Sequence, residues 1–444
     1  MQSYVMPLGI LFLLTLCVAS LLNRTFFTYI LLGFAFIPVR YFSDNATIGF
    51  LNIETSIGVV LVFLMIPRIV FSKEKIGSTL SRIWITSAFI VLAAISASIM
   101  MANGESSGFR MLYRLLYPVI AFAYFASNFR KERDIEKVLT SIILIGVAVV
   151  TGSIIQYVFF GSGWRISAGV MRYVGLGSAS DYAYNMGFLT ILCYVRLRSG
   201  EVRWVYGALA VLFATGMLLT ITRGAIIGTA LAVLGYEFFG KHGKLASRLF
   251  AASCLIIVLL GTISFYSPLR SRIFAEHYKD IQTKHSMGSY EKFEQGLERS
   301  GRPRALRFAL REMMGGHHIL FGYGIGSAEE DALDALGGLP HNEYVRVFYE
   351  MGLLGISIFI ASLLQLWLIL RRSLLVATTN FQKLVSGIGI SLMTLFCAGS
   401  MVDNLLSKYK SIGMVLFMII AFTIVAYKDN SSYAISAKEK ALSR

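Results

Sequence analysis

The chain is a succession of apolar runs, each of roughly bilayer-spanning length and each closed by a short polar loop. A transmembrane helix needs about 20 predominantly apolar residues. That criterion picks out 6–22, 26–41, 55–71, 83–101, 111–127, 138–160, 182–196, 203–221, 224–239, 248–266, 346–370, 383–402 and 411–427. With 444 residues, 56% of them hydrophobic, the chain carries more apolar surface than a soluble core of that length could hide. The expectation is an all-α, polytopic transmembrane helical bundle. A formal net charge of +16 would suggest nucleic acid in a soluble protein, but here the basic residues sit in short loops and set topology.

Those loops alternate. Lys73, Lys75 and Arg82 mark one side, as do Arg130, Lys131, Arg133 and Lys137, then Arg196, Arg198 and Arg203, then Lys241, Lys244 and Arg248, then Arg371, Arg372 and Lys383. Short basic loops face the cytoplasm, and the tail with Lys428, Lys438, Lys440 and Arg444 joins them. The intervening loops then lie on the opposite face. Counted strictly, thirteen runs leave the N-terminus outside; merging or demoting one of the first two gives twelve helices with both termini inside, the count adopted here. The division expected is 1–266 as N-terminal transmembrane helices, 267–345 as a large external loop, 346–427 as C-terminal transmembrane helices and 428–444 as a cytoplasmic tail. The first run has neither a basic segment before it nor a small-residue cleavage site, so it reads as a retained helix. Cys17, Cys193, Cys254 and Cys397 fall inside apolar runs without CxxC spacing and read as packing residues.

The large external loop concentrates the groups able to do chemistry. After Pro303, which suits a first helical turn, Leu306, Ala309, Leu310 and Met313 recur at helical spacing while Arg304, Arg307 and Arg311 face elsewhere, an amphipathic interfacial helix. Gly322, Gly324 and Gly326 resemble part of a dinucleotide loop, but no βαβ unit surrounds them, and a tight glycine turn is the reading preferred. His341, Asn342 and Glu343 stand just before an apolar helix. Histidine is the side chain best suited to take a proton near neutral pH; as a lone loop residue it would simply bond backbone. Arg223 stands in the turn Thr222-Arg223 on the face that is otherwise not basic. A planar guanidinium suits phosphate, although a helix-end arginine can also snorkel to the interface. Arg165, Arg172, Arg299, Arg302 and Arg304 make the same face rich in anion-binding groups. Adjacent His317 and His318 lack accompanying carboxylate patterns, so neither a catalytic metal nor any other cofactor is expected.

His341-Asn342, nine residues, then Gly352-x-x-Gly355 resembles the His-[Asn/Ser/Gln]-x9-Gly-x-x-[Gly/Thr/Tyr] signature of the O-antigen ligases. Thr222-Arg223-Gly224, Ser300-Gly301-Arg302 and Phe321-Gly322-Tyr323-Gly324 are similar to the order of elements in the wider ligase and polymerase superfamily. The basic residue after Ser300-Gly301 aligns as Arg299, Arg302 or Arg304. The resemblance implies a GT-C-like, metal-independent inverting glycosyltransferase of the bacterial inner membrane, its active site facing the periplasm. It would ligate undecaprenyl diphosphate-linked O-antigen polysaccharide to a lipid A-core sugar, completing lipopolysaccharide. His341 would act as general base with Glu343 in reserve; Arg223 and Arg302, with Arg172 and Arg165, would hold the donor diphosphate. Asn342 would orient His341 or bind sugar, and Gly352 and Gly355 would allow close helix packing. Within the superfamily, an O-antigen polymerase or a protein O-oligosaccharyltransferase differs only in acceptor. A transporter or flippase of lipid-linked glycan is the reading from another class, disfavoured because the apolar runs are nearly free of interior Asp, Glu and Lys.

Overall fold

The computed structural model describes residues 23–36, 47–48, 51–72, 76–105, 107–160, 164–167, 170–173, 178–199, 203–239, 311–313, 318–328 and 342–427. The apolar runs fold as helices: α1 (Arg24–Phe36), α2 (Ile53–Val70), a short α3 (Ile76–Leu80), α4 (Trp84–Ala102), α5 (Ser107–Asn128), α6 (Glu132–Phe160), α7 (Ala179–Ser199), α8 (Arg203–Leu219), α9 (Arg223–Phe239), α10 (Glu343–Val376) and α11 (Asn380–Ser400). The last, α12 (Lys410–Tyr427), opens with a π-helical turn over Tyr409–Gly413. Two small antiparallel hairpins decorate the loops, β1 (Thr47–Ile48) with β2 (Leu51–Asn52), and β3 (Trp164–Ser167) with β4 (Val170–Tyr173). Runs 6–22 and 248–266 lie outside the described residues.

Among the described residues, five helices are long and apolar enough to cross a membrane, those over Ser81–Ala102, Glu132–Phe159, Glu343–Val376, Asn380–Ser400 and Lys410–Tyr427. Arg24–Phe36, Thr55–Val70 and Trp204–Leu219 are shorter apolar helices. The protein is thus a helical membrane protein. Two helices outside that set of five are also well enclosed. α7 buries Tyr182, Ala183, Tyr184, Met186, Phe188 and Leu189 in succession, and it packs against α8, α9 and α11. A helix buried all round belongs at the centre of a bundle. α5 plays the same part between α2, α4 and α12, where Phe125 meets Phe422 edge-on with ring centroids 5.5 Å apart.

The helix ends sort into two sets. At one end, Arg24 pairs with Asp134, Arg196 with Glu136, and Arg198 with Glu237. These are the basic loops assigned to the cytoplasm. The other end gathers the C-termini of α4, α8 and α11 and the N-termini of α5, α7, α9, α10 and α12.

Candidate active site at one end of the bundle

α10 begins with a cap. The Asn342 side-chain oxygen accepts from the Tyr344 and Val345 amides at 3.0 and 3.1 Å, satisfying N–H groups that a first helical turn leaves without partners. That oxygen is therefore engaged in shaping the helix start, a different task from orienting His341 or holding sugar. His341 itself, like Arg302, lies outside the described residues.

Glu343, Arg346 and Glu350 follow at i, i+3 and i+7, on one face of α10, and all three are buried. Arg346 Nε donates to Glu350 Oε1 at 3.0 Å, and its guanidinium also reaches Met111 Sδ at 3.1 Å. Glu343 Oε2 accepts from the Leu406 amide at 3.0 Å, while Oε1 has no hydrogen-bond partner among the described residues. A fully buried carboxylate oxygen left unpaired is costly. Such exceptions concentrate at working sites.

Nine residues after Glu343, α10 breaks. Gly352 adopts φ 64°, ψ −164° inside the helix, a region open in practice only to glycine. The freed backbone groups are taken up by the turn at His318–Gly324: Tyr323 and Gly324 amides donate to the carbonyls of Tyr349 and Glu350, and Leu353 and Leu354 amides donate to those of Ile319 and Leu320. The two segments approach so closely that a Cβ on Gly352 would lie 2.3 Å from the Leu320 carbonyl carbon. Gly322, with φ 73°, faces the Glu350 carbonyl carbon at 2.4 Å in the same sense. Gly352 thus permits close packing, but of a turn against a helix break rather than of helix on helix. A Cβ on Gly355 would meet Met351 Cβ across that break at 2.1 Å. The glycine turn read from the sequence is present, with positive φ at Gly322, Gly324 and Gly326.

Arg223 opens α9, and the turn before it is strained. Ile221 has φ 54° and is fully buried, a left-handed conformation that a β-branched residue adopts only under constraint. Thr222 Oγ1 donates to the Ala179 carbonyl at 3.4 Å, tying the turn to the start of α7. The next residue, Gly224, packs against Tyr184 and Val402. Lys408 Nζ lies 5.8 Å from the Tyr184 ring and pairs with Asp181 at 3.1 Å and Asp403 at 3.9 Å. Ser180 Oγ donates to Asp403 at 2.5 Å. The chain of contacts from the Arg223 turn thus runs through α7 and the α11–α12 loop to Leu406 and Glu343. Burial raises the Asp181 carboxyl, but Lys408, Ser178 and Lys410 outweigh it and hold the group below its ordinary value; Asp181 precedes the apolar run of α7. The β3–β4 hairpin sets Arg165 directly opposite Arg172.

The site therefore joins Arg223 and Glu343 through one connected end of the bundle, and puts the hairpin arginines in register. Sequence reasoning missed Arg346 and Glu350, and also the Asp181–Lys408 pair that lies beside them. The i, i+3, i+7 spacing of Glu343, Arg346 and Glu350 was the available signal, hidden because it leads into an apolar run. No group of His, Cys, Asp and Glu able to hold a metal ion occurs among the described residues.

These features define a helical membrane protein with a polar, buried cluster at one end. Residues 208–360 match the family model described as O-Antigen ligase, and this match supports membership of the O-antigen ligase and polymerase superfamily. Comparison with curated proteins gave no match.

Proposed function

We propose that the protein is a metal-independent inverting glycosyltransferase that moves a glycan from undecaprenyl diphosphate to a lipid A-core sugar at the periplasmic face of the inner membrane. One observation carries this reading: the family match over 208–360 includes Arg223, Arg302 and the stretch His341–Gly355, and the fold brings the Arg223 turn and the α10 head to the same end of the bundle. The acceptor hydroxyl oxygen attacks the anomeric carbon as the bond from that carbon to the diphosphate oxygen breaks. His341 takes the hydroxyl proton, with Glu343 as the reserve base. Arg223 and Arg302, with Arg165 and Arg172, neutralise the charge that develops on the departing diphosphate, the part a metal ion plays elsewhere.

The test is transfer by purified, reconstituted protein supplied with undecaprenyl diphosphate-linked glycan and lipid A-core. The expected product is a ladder on lipid A-core, unaffected by chelator. His341→Ala should reduce it about 10²–10⁴-fold, the usual range for loss of a general base. A lengthening lipid-linked glycan over unmodified lipid A-core would make the protein a polymerase. Activity lost in chelator and restored by magnesium would overturn the metal-free mechanism.

A further inference from the structure

The turn that closes the α10 break carries three large apolar side chains outward. Ile319, Leu320 and Phe321 are exposed, Phe321 at 69%, although they belong to a loop expected to face water. Their setting explains the choice of residues. Leu353 and Leu354, hydrogen-bonded to Ile319 and Leu320, are exposed as well, and so are Ile360, Leu364 and Leu368 at helical intervals below them. This is the lipid-facing stripe of a membrane-spanning helix. From Leu353 to Val376, α10 rises about 36 Å at the usual rise per residue, against a hydrocarbon core of about 30 Å. The break at Gly352 thus falls near the outer edge of the hydrocarbon, and the apolar tip continues the stripe there.

Irregular backbone is tolerated against hydrocarbon only where its polar groups are satisfied internally. Here they are. The break releases the carbonyls of Tyr349 and Glu350 and the amides of Leu353 and Leu354, and each finds its partner in the turn; the Gly322 amide donates to the His318 carbonyl at 2.7 Å. Behind the tip, His318, Tyr323 and Tyr349 stack with ring separations of 4.4 and 4.8 Å, aromatic groups of the kind that favour the headgroup region.

We propose that Ile319-Leu320-Phe321 is a re-entrant wedge, inserted into the outer leaflet beside α10 and covered by phospholipid acyl chains. It fixes the later part of the large external loop at the bilayer surface, next to the α10 break. The proposal rests on geometry and is independent of the chemistry assigned above.

The experiment places photoreactive p-benzoylphenylalanine at position 321 of the full-length protein in phosphatidylethanolamine–phosphatidylglycerol vesicles, with position 364 on the lipid-facing stripe as control. After irradiation, mass spectrometry identifies the adduct. Phospholipid adducts at 321 in a yield comparable to that at 364 are expected. Peptide adducts at 321, from elsewhere in this chain or from a second copy, would overturn the wedge. So would a lack of any adduct while position 364 labels. If the probe at 321 prevents folding, the same readout is taken at 320, which shares the exposed tip.

Discussion

The two ends of the bundle handle charge in opposite ways. At the basic end, carboxylates are matched on neighbouring helices: Glu136 with Arg196, Asp134 with Arg24, and Glu237 with both Arg198 and Tyr194, whose hydroxyl donates at 2.6 Å. Glu237 is buried there with both oxygens engaged. At the opposite end, Glu343 is equally buried but only one of its oxygens is engaged among the described residues, and the turn before Arg223 is held in a strained conformation. A pairing that is complete serves the fold. A buried group left with an open hydrogen-bonding position lowers stability, and a role for it in transfer is open to direct test.

That contrast predicts a division of effects. Glu343→Gln keeps shape and removes charge, so stability should hold or rise, whereas transfer should fall about 10²-fold if the carboxylate takes part in proton movement. Turnover in vesicles, normalised to folded protein, reads this directly; full activity would reduce Glu343 to a structural residue. Arg198→Met works the other way. It leaves Glu237 buried beside an apolar side chain, which should cost about 3 kcal/mol of stability, while the folded fraction turns over normally. Chemical unfolding in detergent, paired with the transfer assay, separates the two, and a catalytic defect larger than the loss of folded protein would break the comparison.

Arg223→Lys comes next in size. Charge is kept and the planar fork is lost, so donor KM should rise about tenfold with a smaller change in kcat. Unchanged donor KM would argue against two-pronged recognition of diphosphate at the head of α9.

The helical framework was legible because apolar length is a local property. The run 224–239 reappears as Arg223–Phe239, and 203–221 as Arg203–Leu219. The head of α10 was not legible in the same way. Its first nine residues mix Glu343, Arg346 and Glu350 with Val345, Val347, Phe348 and Tyr349, so they read as the polar mouth of a span. The break at Gly352 depends on a turn some thirty residues earlier, and no local pattern announces a partner that distant. Asn342 was recoverable: an asparagine just before a helix is a favoured cap. Burial of Arg346 was not, since it depends on Met111 of α5. For the candidate site, the sequence pointed to Arg223 and Glu343, and the structure supplies what links them.

The smallest effect belongs to the Lys408 cluster, which resembles the basic end in being paired yet sits beside the site. Asp181 and Lys408 keep side-chain exposures of 25% and 12%, so solvent screens them and the pair should contribute about 1 kcal/mol or less. Its pH dependence has a definite sign. The folded Asp181 carboxyl is held below its ordinary value, so its contribution is fully present above about pH 4–5, where the unfolded carboxyl is also ionised, and is lost as pH falls through the folded value. In unfolding temperatures measured from pH 7 to pH 3, the wild type should lose a small advantage over Asp181→Asn on the acid side, while transfer at pH 7 stays nearly equal. A variant curve parallel to the wild type would show that the pair contributes no proton-linked stability. A large loss of transfer at pH 7 would instead draw Asp181 and Lys408 into the site, and the boundary between paired and unpaired charge would have to move toward α7.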